Sequence, residues 1–213
     1  MRRSSALLLF AVLCPAAWGV PVAQREFDLV LKRTPDVAHG AALYDTCAAC
    51  HGKNGEGVRD GTVPAIARQP FTIIAKQLVD FRVGARTDAR MAHFADSRHL
   101  AYSQHIADVA AYIATLPSPP PQPAASREVV TRGARVYTRS CERCHGAAGE
   151  GKEDSLAPRL ASQHSDYLMR QLVDAAEGRR PPMVSTHSAL VGALSVDDRV
   201  AVTSYLATAE AVP

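Results

Sequence analysis

The sequence has little excess charge of either sign. Its 213 residues include 24 Lys and Arg against 21 Asp and Glu, which gives a formal net charge of +3 at pH 7. Two of the positive charges, Arg2 and Arg3, stand at the extreme N-terminus, so the rest of the chain is almost neutral. A nucleic-acid-binding domain concentrates basic residues on one surface to meet the phosphate backbone. The charge balance therefore predicts that this protein has no nucleic-acid partner.

The chain also lacks an uninterrupted apolar run that is long enough for a transmembrane helix. The uncharged stretch at residues 6–23 is broken by Pro15, Gly19 and Pro21, whereas a membrane span needs about 20 continuous helical residues. Two arginines precede this stretch and small residues close it, which is the order of a cleavable secretory signal peptide. We expect the signal peptide to be residues 1–19, and the mature chain to be exported to a bacterial periplasm.

Cysteine is scarce, and its placement is the most informative feature of the sequence. One of the five cysteines, Cys14, lies in the predicted signal peptide. The other four form two copies of the pattern C-x-x-C-H, with the residues Cys47, Cys50 and His51 in one copy and Cys141, Cys144 and His145 in the other. This pattern is the attachment signature of c-type haem. The two thiols bond to the vinyl groups on one edge of the porphyrin, and the imidazole that follows them binds the iron.

Other uses of a C-x-x-C pair explain this pattern less well. A structural zinc site needs four ligands, and each copy supplies three with no second C-x-x-C nearby. A thioredoxin-like redox pair or a structural disulfide leaves both histidines without a role. Because the pattern occurs twice in a chain predicted to be exported, it favours two covalently bound haem c groups.

The two motifs belong to an internal duplication. A shift of 94 residues maps His51 onto His145, residues 77–80 onto residues 171–174, and Gly84 onto Gly178. Between the copies, residues 117–123 contain five prolines in seven positions, which is typical of an extended linker. We therefore predict one domain at residues 20–116, a proline-rich linker at residues 117–123 and a second domain at residues 124–213.

Each half is predicted to be all-α, without a convincing strand. One helix leads into each C-x-x-C-H motif, with Thr34 and Ser126 as the expected N-caps. Helices at residues 71–83 and 166–177 each end before a glycine. The closing helices are expected to begin at Ser103 and Ser195, and the first of them places Ile106, Val109, Ala110 and Ile113 on one face.

A sixth ligand for each iron can be sought among the few methionines. Apart from Met1 the chain has Met91, Met169 and Met183, and a thioether is a common partner of histidine in electron-transfer haem sites. Met91 and Met183 follow the second predicted helix of their halves, whereas Met169 lies within a helix as a core residue would. Histidine ligation remains an alternative, because His93 and His187 follow the two loop methionines closely.

A proline stands 13 residues after the histidine of each motif, at Pro64 and Pro158. Proline has no amide proton but keeps a free carbonyl oxygen. We expect this oxygen to accept a hydrogen bond from Nδ1 of the haem-binding histidine.

Taken together, these residues resemble the two-haem cytochrome c4 family. The similarity rests on the paired C-x-x-C-H-G-x-x-G-x-G segments, on the prolines and loop methionines, and on closing helices that contain Tyr112 and Tyr205. Two departures are that Tyr44 stands three residues before its motif where Tyr137 stands four, and that His93 occupies a position where proline is more common in the family. The resemblance implies two tandem cytochrome c domains with facing haems and His/Met irons. It also implies a soluble or peripherally membrane-associated electron carrier.

An iron with six ligands has no open site for a substrate, which favours an electron carrier over an enzyme. The resemblance implies a quinol-oxidising complex as donor and a terminal oxidase as acceptor. Two alternatives stay open: an electron-transfer subunit of a periplasmic dehydrogenase, and a two-haem peroxidase in which one iron lacks its sixth ligand.

Overall fold

The computed structural model describes residues 16–123, 125–180 and 186–210, and regular structure in these ranges is helical. Only an isolated bridge between Lys152 and Ala157 has β character there, so the all-α prediction is confirmed. The helices are α1 (Ala16–Leu31), α2 (Val37–His51), α3 (Phe71–Arg82), α4 (Ala89–Phe94), α5 (Ser103–Thr115), α6 (Arg127–Ser140), α7 (Glu142–His145), α8 (Ser165–Ala176), α9 (His187–Gly192) and α10 (Val196–Thr208).

Most predicted helix boundaries lie close to the observed ones, and one N-cap prediction is wrong. Ser126 and Ser195 cap α6 and α10 through their hydroxyl groups, as predicted. Helix α2 is capped by Asp36 instead of Thr34, because the Asp36 carboxylate accepts hydrogen bonds from two backbone N–H groups of the first turn. Ser103 is the first residue of α5 and provides no side-chain cap.

The core of each half forms where the helix that leads toward its C-x-x-C-H motif crosses the last helix. Helix α2 crosses α5 in the first half, and α6 crosses α10 in the second. A Cβ on Gly40 would overlap the carbonyl oxygen of Asp108, and a Cβ on Gly133 would overlap that of Ala201. Each crossing therefore requires glycine at the point of closest approach. The predicted apolar face of α5 is fully buried in this core.

Helix α1 packs on the first half. Its residues Ala23, Phe27 and Val30 are buried in the core of that half, and Glu26 forms an ion pair with Arg82 of α3. Residues 1–15 of the predicted signal peptide lie outside the described ranges. Within those ranges, none of the helices combines the length and the apolar character that a membrane span requires.

Candidate haem sites

The histidine of each motif is held by the carbonyl group that the sequence nominated. Nδ1 of His51 lies 3.0 Å from the carbonyl oxygen of Pro64, and Nδ1 of His145 lies 2.9 Å from that of Pro158. With the proton on Nδ1, each imidazole donates to the carbonyl and keeps Nε2 free to bind iron. Burial lowers the pKa of both histidines below the ordinary value. The imidazoles are therefore neutral at neutral pH, which is the form that binds a metal.

Glycines in the loop after each motif make this hydrogen bond possible. Gly57 has φ +69°, and a Cβ there would lie 2.5 Å from the carbonyl carbon of Pro64. Gly151 has φ +85°, and a Cβ there would lie 2.6 Å from the backbone nitrogen of Arg159. Both glycines also donate their N–H to the carbonyl oxygen of the motif histidine at 2.8 Å. The loop therefore folds back over the histidine only because these two positions lack a side chain.

The four cysteines of the motifs form no disulfide with each other and suit covalent attachment of haem. Cys47 and Cys141 are partly buried, whereas Cys50 and Cys144 are exposed. Burial raises the pKa of Cys47 and of Cys141 to about 11. A catalytic C-x-x-C pair needs the opposite, a lowered pKa that provides a thiolate. The environment of these cysteines therefore argues against a thioredoxin-like role and fits thioether bonds to haem.

A tyrosine hydroxyl binds the carbonyl group of the residue that follows each motif. Tyr44 donates to the carbonyl oxygen of Gly52 at 2.7 Å, and Tyr137 donates to that of Gly146. The second half has one more residue between the tyrosine and the motif, and it accommodates that residue by a break at Cys141 (φ −123°, ψ −39°). Helix α2 therefore runs unbroken through its motif, whereas the second motif lies on the separate short helix α7.

Met91 lies on α4, a short helix that the sequence pattern did not predict. The Asp88 carboxylate caps this helix by accepting hydrogen bonds from the N–H groups of Arg90 and Met91. Met91 is half-buried, whereas His93 is exposed and its ring contacts Phe94 and His99. Met183 lies outside the described residues. The assignment of both methionines as iron ligands stays a prediction.

The two halves meet directly beside the histidine-binding prolines. Gln69 donates to the carbonyl oxygen of Arg159 at 2.7 Å and accepts from the Arg159 N–H at 3.1 Å. Gln163 makes the same pair of hydrogen bonds with Ala65, at 2.6 and 3.0 Å. Both glutamines are buried. The 94-residue shift of the duplication maps Gln69 onto Gln163, but spacing alone gave no sign that these residues join the halves.

Positive charge lies partly buried at the same boundary. Arg86 donates to the Tyr167 hydroxyl at 2.9 Å and to the Gln171 side chain at 2.8 Å, and Arg180 donates to Gln171 at 2.7 Å. Burial, together with the nearby Arg86 charge, lowers the pKa of Arg180 to about 10.

The second half has a buried hydrogen-bond donor without a partner, and this donor bears on whether that half can hold a haem. The Nε of Arg159, next to Pro158, is buried and has no hydrogen-bond partner within the described residues. A buried guanidinium in this position fits an anionic group such as a haem carboxylate. The thiols, the neutral histidines and this donor therefore form a set that suits haem c.

Comparison with known proteins agrees with this geometry. The family model described as Cytochrome c matches residues 37–117 and again residues 130–210. Cytochrome c4 of Pseudomonas aeruginosa is 31% identical over 179 residues, which cover 80% of this chain and 87% of that protein. A protein named thiosulfate dehydrogenase electron acceptor, from Stutzerimonas stutzeri, is 32% identical over 84% of this chain and 90% of its own length.

A solved structure shows the same arrangement. Reduced recombinant cytochrome c4 from Pseudomonas stutzeri superimposes with a TM-score of 0.74 at 25% identity, over 83% of this chain and 100% of that one. The resemblance drawn from the motifs is thereby confirmed. The chain belongs to the cytochrome c family as a two-haem electron carrier of the cytochrome c4 type, with two covalently bound haem c groups.

Proposed function

We propose that this protein carries electrons in a bacterial periplasm between a quinol-oxidising complex and a terminal oxidase. His51 and His145 would bind the two irons through Nε2, and Met91 would provide the second protein ligand in the first half. In the second half the sequence nominates Met183 for that position. Bound haem iron supplies the chemistry, which is the reversible uptake of one electron.

The hydrogen bonds from His51 to Pro64 and from His145 to Pro158 carry this proposal. They fix the orientation of each imidazole and raise its basicity toward a metal. Because the residues that follow the two prolines, Ala65 and Arg159, are bound by the glutamines of the opposite halves, the two iron sites are held at a constant relative position. A constant relative position supports electron exchange between the two haems.

A second candidate donor is a periplasmic dehydrogenase. It is supported by the relative named as an electron acceptor of thiosulfate dehydrogenase, which aligns with most of this chain. The two donors can be distinguished by rate. The oxidised two-haem protein is mixed either with a purified quinol-oxidising complex and quinol, or with thiosulfate dehydrogenase and thiosulfate, and haem reduction is followed by stopped-flow absorbance. Faster reduction by the quinol-oxidising complex supports the first donor, and faster reduction by the dehydrogenase replaces it with the second.

Export is tested by the mass of the mature protein. We expect the chain isolated from the periplasmic fraction to begin at Val20 and to carry the mass of two haem groups. A chain that retains residues 1–19 in the membrane fraction would instead show that this segment serves as an anchor. A chain that begins at Val20 but washes from membranes with salt would be peripherally associated.

A further inference from the structure

The chain around the second C-x-x-C-H motif is basic, whereas the chain around the first is not. Residues 127–152 contain six Lys and Arg against three Asp and Glu. The corresponding residues of the first half, 33–58, contain two Lys and Arg against three Asp and Glu. The duplication therefore keeps the haem-binding residues and changes the charge around them.

Arginines follow one side of α6 toward the motif. Arg132, Arg135 and Arg139 line one shallow groove, in which Glu128 lies near the beginning of the helix. Arg132 is paired with the two aspartates at residues 197–198. Arg139 lies 3.9 Å from one of these aspartates but keeps 68% of its side chain exposed. Arg135 is exposed and has no acidic partner in the part of the chain that the structure describes. Positive charge therefore extends into solvent from Arg135 and Arg139.

Two further cations lie at the motif itself. Arg143 directly precedes Cys144, and both residues are exposed. Nζ of Lys152 donates to the carbonyl oxygen of Arg143 at 3.1 Å, so this ammonium group lies beside α7. Of the nearby acids, Glu142 is half-buried, and the Glu150 carboxylate accepts a backbone N–H of its own loop. A haem bonded to Cys144 would therefore reach the surface among basic side chains.

The equivalent surface of the first half carries no such charge. When the tyrosines before the motifs and then the motifs themselves are aligned, the three exposed arginines correspond to Ala42, Thr46 and Ala49. All three of these residues are exposed and uncharged. Asp45 and Lys53, the charged residues close to this motif, balance each other. An anionic surface is therefore attracted to the second motif and not to the first.

The chemistry of this surface favours a protein partner over a membrane. A helix that binds a membrane surface inserts large apolar side chains, and neither α6 nor α7 exposes one. Val136 and Tyr137 of α6 are instead buried in the core of the second half. Arginine is enriched in protein interfaces, where its planar guanidinium group pairs with carboxylates. The complementary surface is therefore an acidic one on a protein.

We propose that a redox protein with an acidic docking surface binds at Arg135, Arg139 and Arg143 and exchanges electrons with the second haem. This inference rests on the proposed function, because it names the chemistry of a partner that one of the two haems meets. One electron passes between the iron of the second haem and the redox centre of the partner, and no proton is transferred and no bond is formed. The arginines act mainly on the rate of encounter and on the orientation of the partner.

The test uses the two-haem protein, with poly-L-glutamate as the acidic surface and hexacyanoferrate(III) as an anionic oxidant that takes one electron from a ferrous haem. The variant R135A/R139A/R143A removes the three cations. The control K32A/K53A/R59A removes three exposed cations from the first half, so it lowers the net charge equally. At low salt we expect the first variant to be oxidised about tenfold more slowly and to lose the inhibition by poly-L-glutamate. The control should slow by less than about twofold, and about 0.5 M salt should remove the difference.

Two results would overturn the inference. Equal slowing of the two variants would show that net charge, and not this surface, attracts the anion. Sedimentation with vesicles that contain phosphatidylglycerol tests the lipid alternative. If R135A/R139A/R143A loses binding to these vesicles while poly-L-glutamate still inhibits its oxidation, the surface binds lipid and not protein. Neither result affects the proposed function, which fails on fewer than two haem groups per chain or on a ferrous iron that binds carbon monoxide.

Discussion

Gln69 and Gln163 make the same contact in opposite directions across the boundary between the two halves. Each glutamine binds both the N–H and the carbonyl group of one residue in the other half, Arg159 or Ala65. Those two residues directly follow the prolines that hold the haem-binding histidines. The boundary is therefore built from the same segments that orient the iron ligands, and we expect a change at one glutamine to be detected at both haems.

Replacing either glutamine with alanine should loosen the boundary. The variant Gln163→Ala leaves the N–H and carbonyl groups of Ala65 without partners in a buried site, which costs about 2 to 4 kcal/mol in unfolding free energy. We expect Gln69→Ala to behave alike, and both variants to slow electron exchange between the haems. Denaturant titration and pulse radiolysis of the two-haem protein measure the two effects.

An exposed glutamine provides the control for this experiment. Gln24 on α1 contacts Asp28 at the surface, so Gln24→Ala should change the unfolding free energy by less than about 0.5 kcal/mol. If Gln163→Ala is as stable as Gln24→Ala and exchanges electrons at the original rate, the glutamine contacts do not join the halves.

Gly57→Ala should alter the first haem through the Pro64 carbonyl group. The new Cβ would press on that carbonyl and weaken its hydrogen bond with His51. A weaker hydrogen bond makes the imidazole less basic, so the ferric state is less stabilised and the reduction potential rises. Gly84 has φ +72°, but a Cβ at that position would have no neighbour within 4 Å, so Gly84→Ala bears the same backbone strain without the contact. Redox titration should show a shift for Gly57→Ala alone, and equal shifts would contradict this explanation.

Asp108 should make the first half sensitive to acid. Its side chain is buried and accepts hydrogen bonds from the Asp36 N–H at 2.8 Å, from His39 at 2.7 Å and from Gln104 at 2.7 Å. Burial opposes the negative charge, but these donors outweigh it and lower the pKa of Asp108 below the ordinary value. The carboxylate therefore contributes stability above the unfolded pKa of about 3.9, and that stability is lost as the pH falls through the folded pKa.

The second half has Ala201 at the corresponding point of its helix crossing. A carboxylate there, Asp198, pairs with Arg132 at 2.9 Å and also has a lowered pKa, but its side chain is 22% exposed against 1% for Asp108, so we expect the second half to depend less on acid. Hydrogen-exchange mass spectrometry should show α2 and α5 opening before α6 and α10 as the pH falls below about 4. Asp108→Asn should increase hydrogen exchange in α2 and α5 at neutral pH as well. The control Asp45→Asn, at an exposed position of α2, should not. Simultaneous opening of both halves at all pH values would contradict the role of Asp108.

Features that depend on local sequence could be predicted, whereas contacts between distant segments could not. The C-x-x-C-H motifs, the glycines that end α3 and α8, and the caps Ser126 and Ser195 are each visible within a few residues. Asp36, and not Thr34, caps α2, because the N–H of Asp36 also donates to the side chain of Asp108, 72 residues away. No local pattern reports such a contact.

Short helices and the boundary between the halves escaped prediction for related reasons. Helices α4 and α9 have six residues each, too few for a hydrophobic period to be recognised. The glutamine contacts join a side chain to a backbone, so the identity of the partner residue leaves no trace in the sequence. The duplication showed that Gln69 and Gln163 correspond, but only the folded chain shows that they face each other's half.

The electron-carrier function requires that both irons are fully coordinated. The optical spectrum of the two-haem protein in its oxidised, reduced and carbon-monoxide-treated reduced states, together with a haem count per chain, tests this requirement. We predict two haem groups and a reduced spectrum that carbon monoxide does not change. A shift corresponding to one of the two haems would show an open iron, and would replace the electron carrier with an enzyme such as a peroxidase.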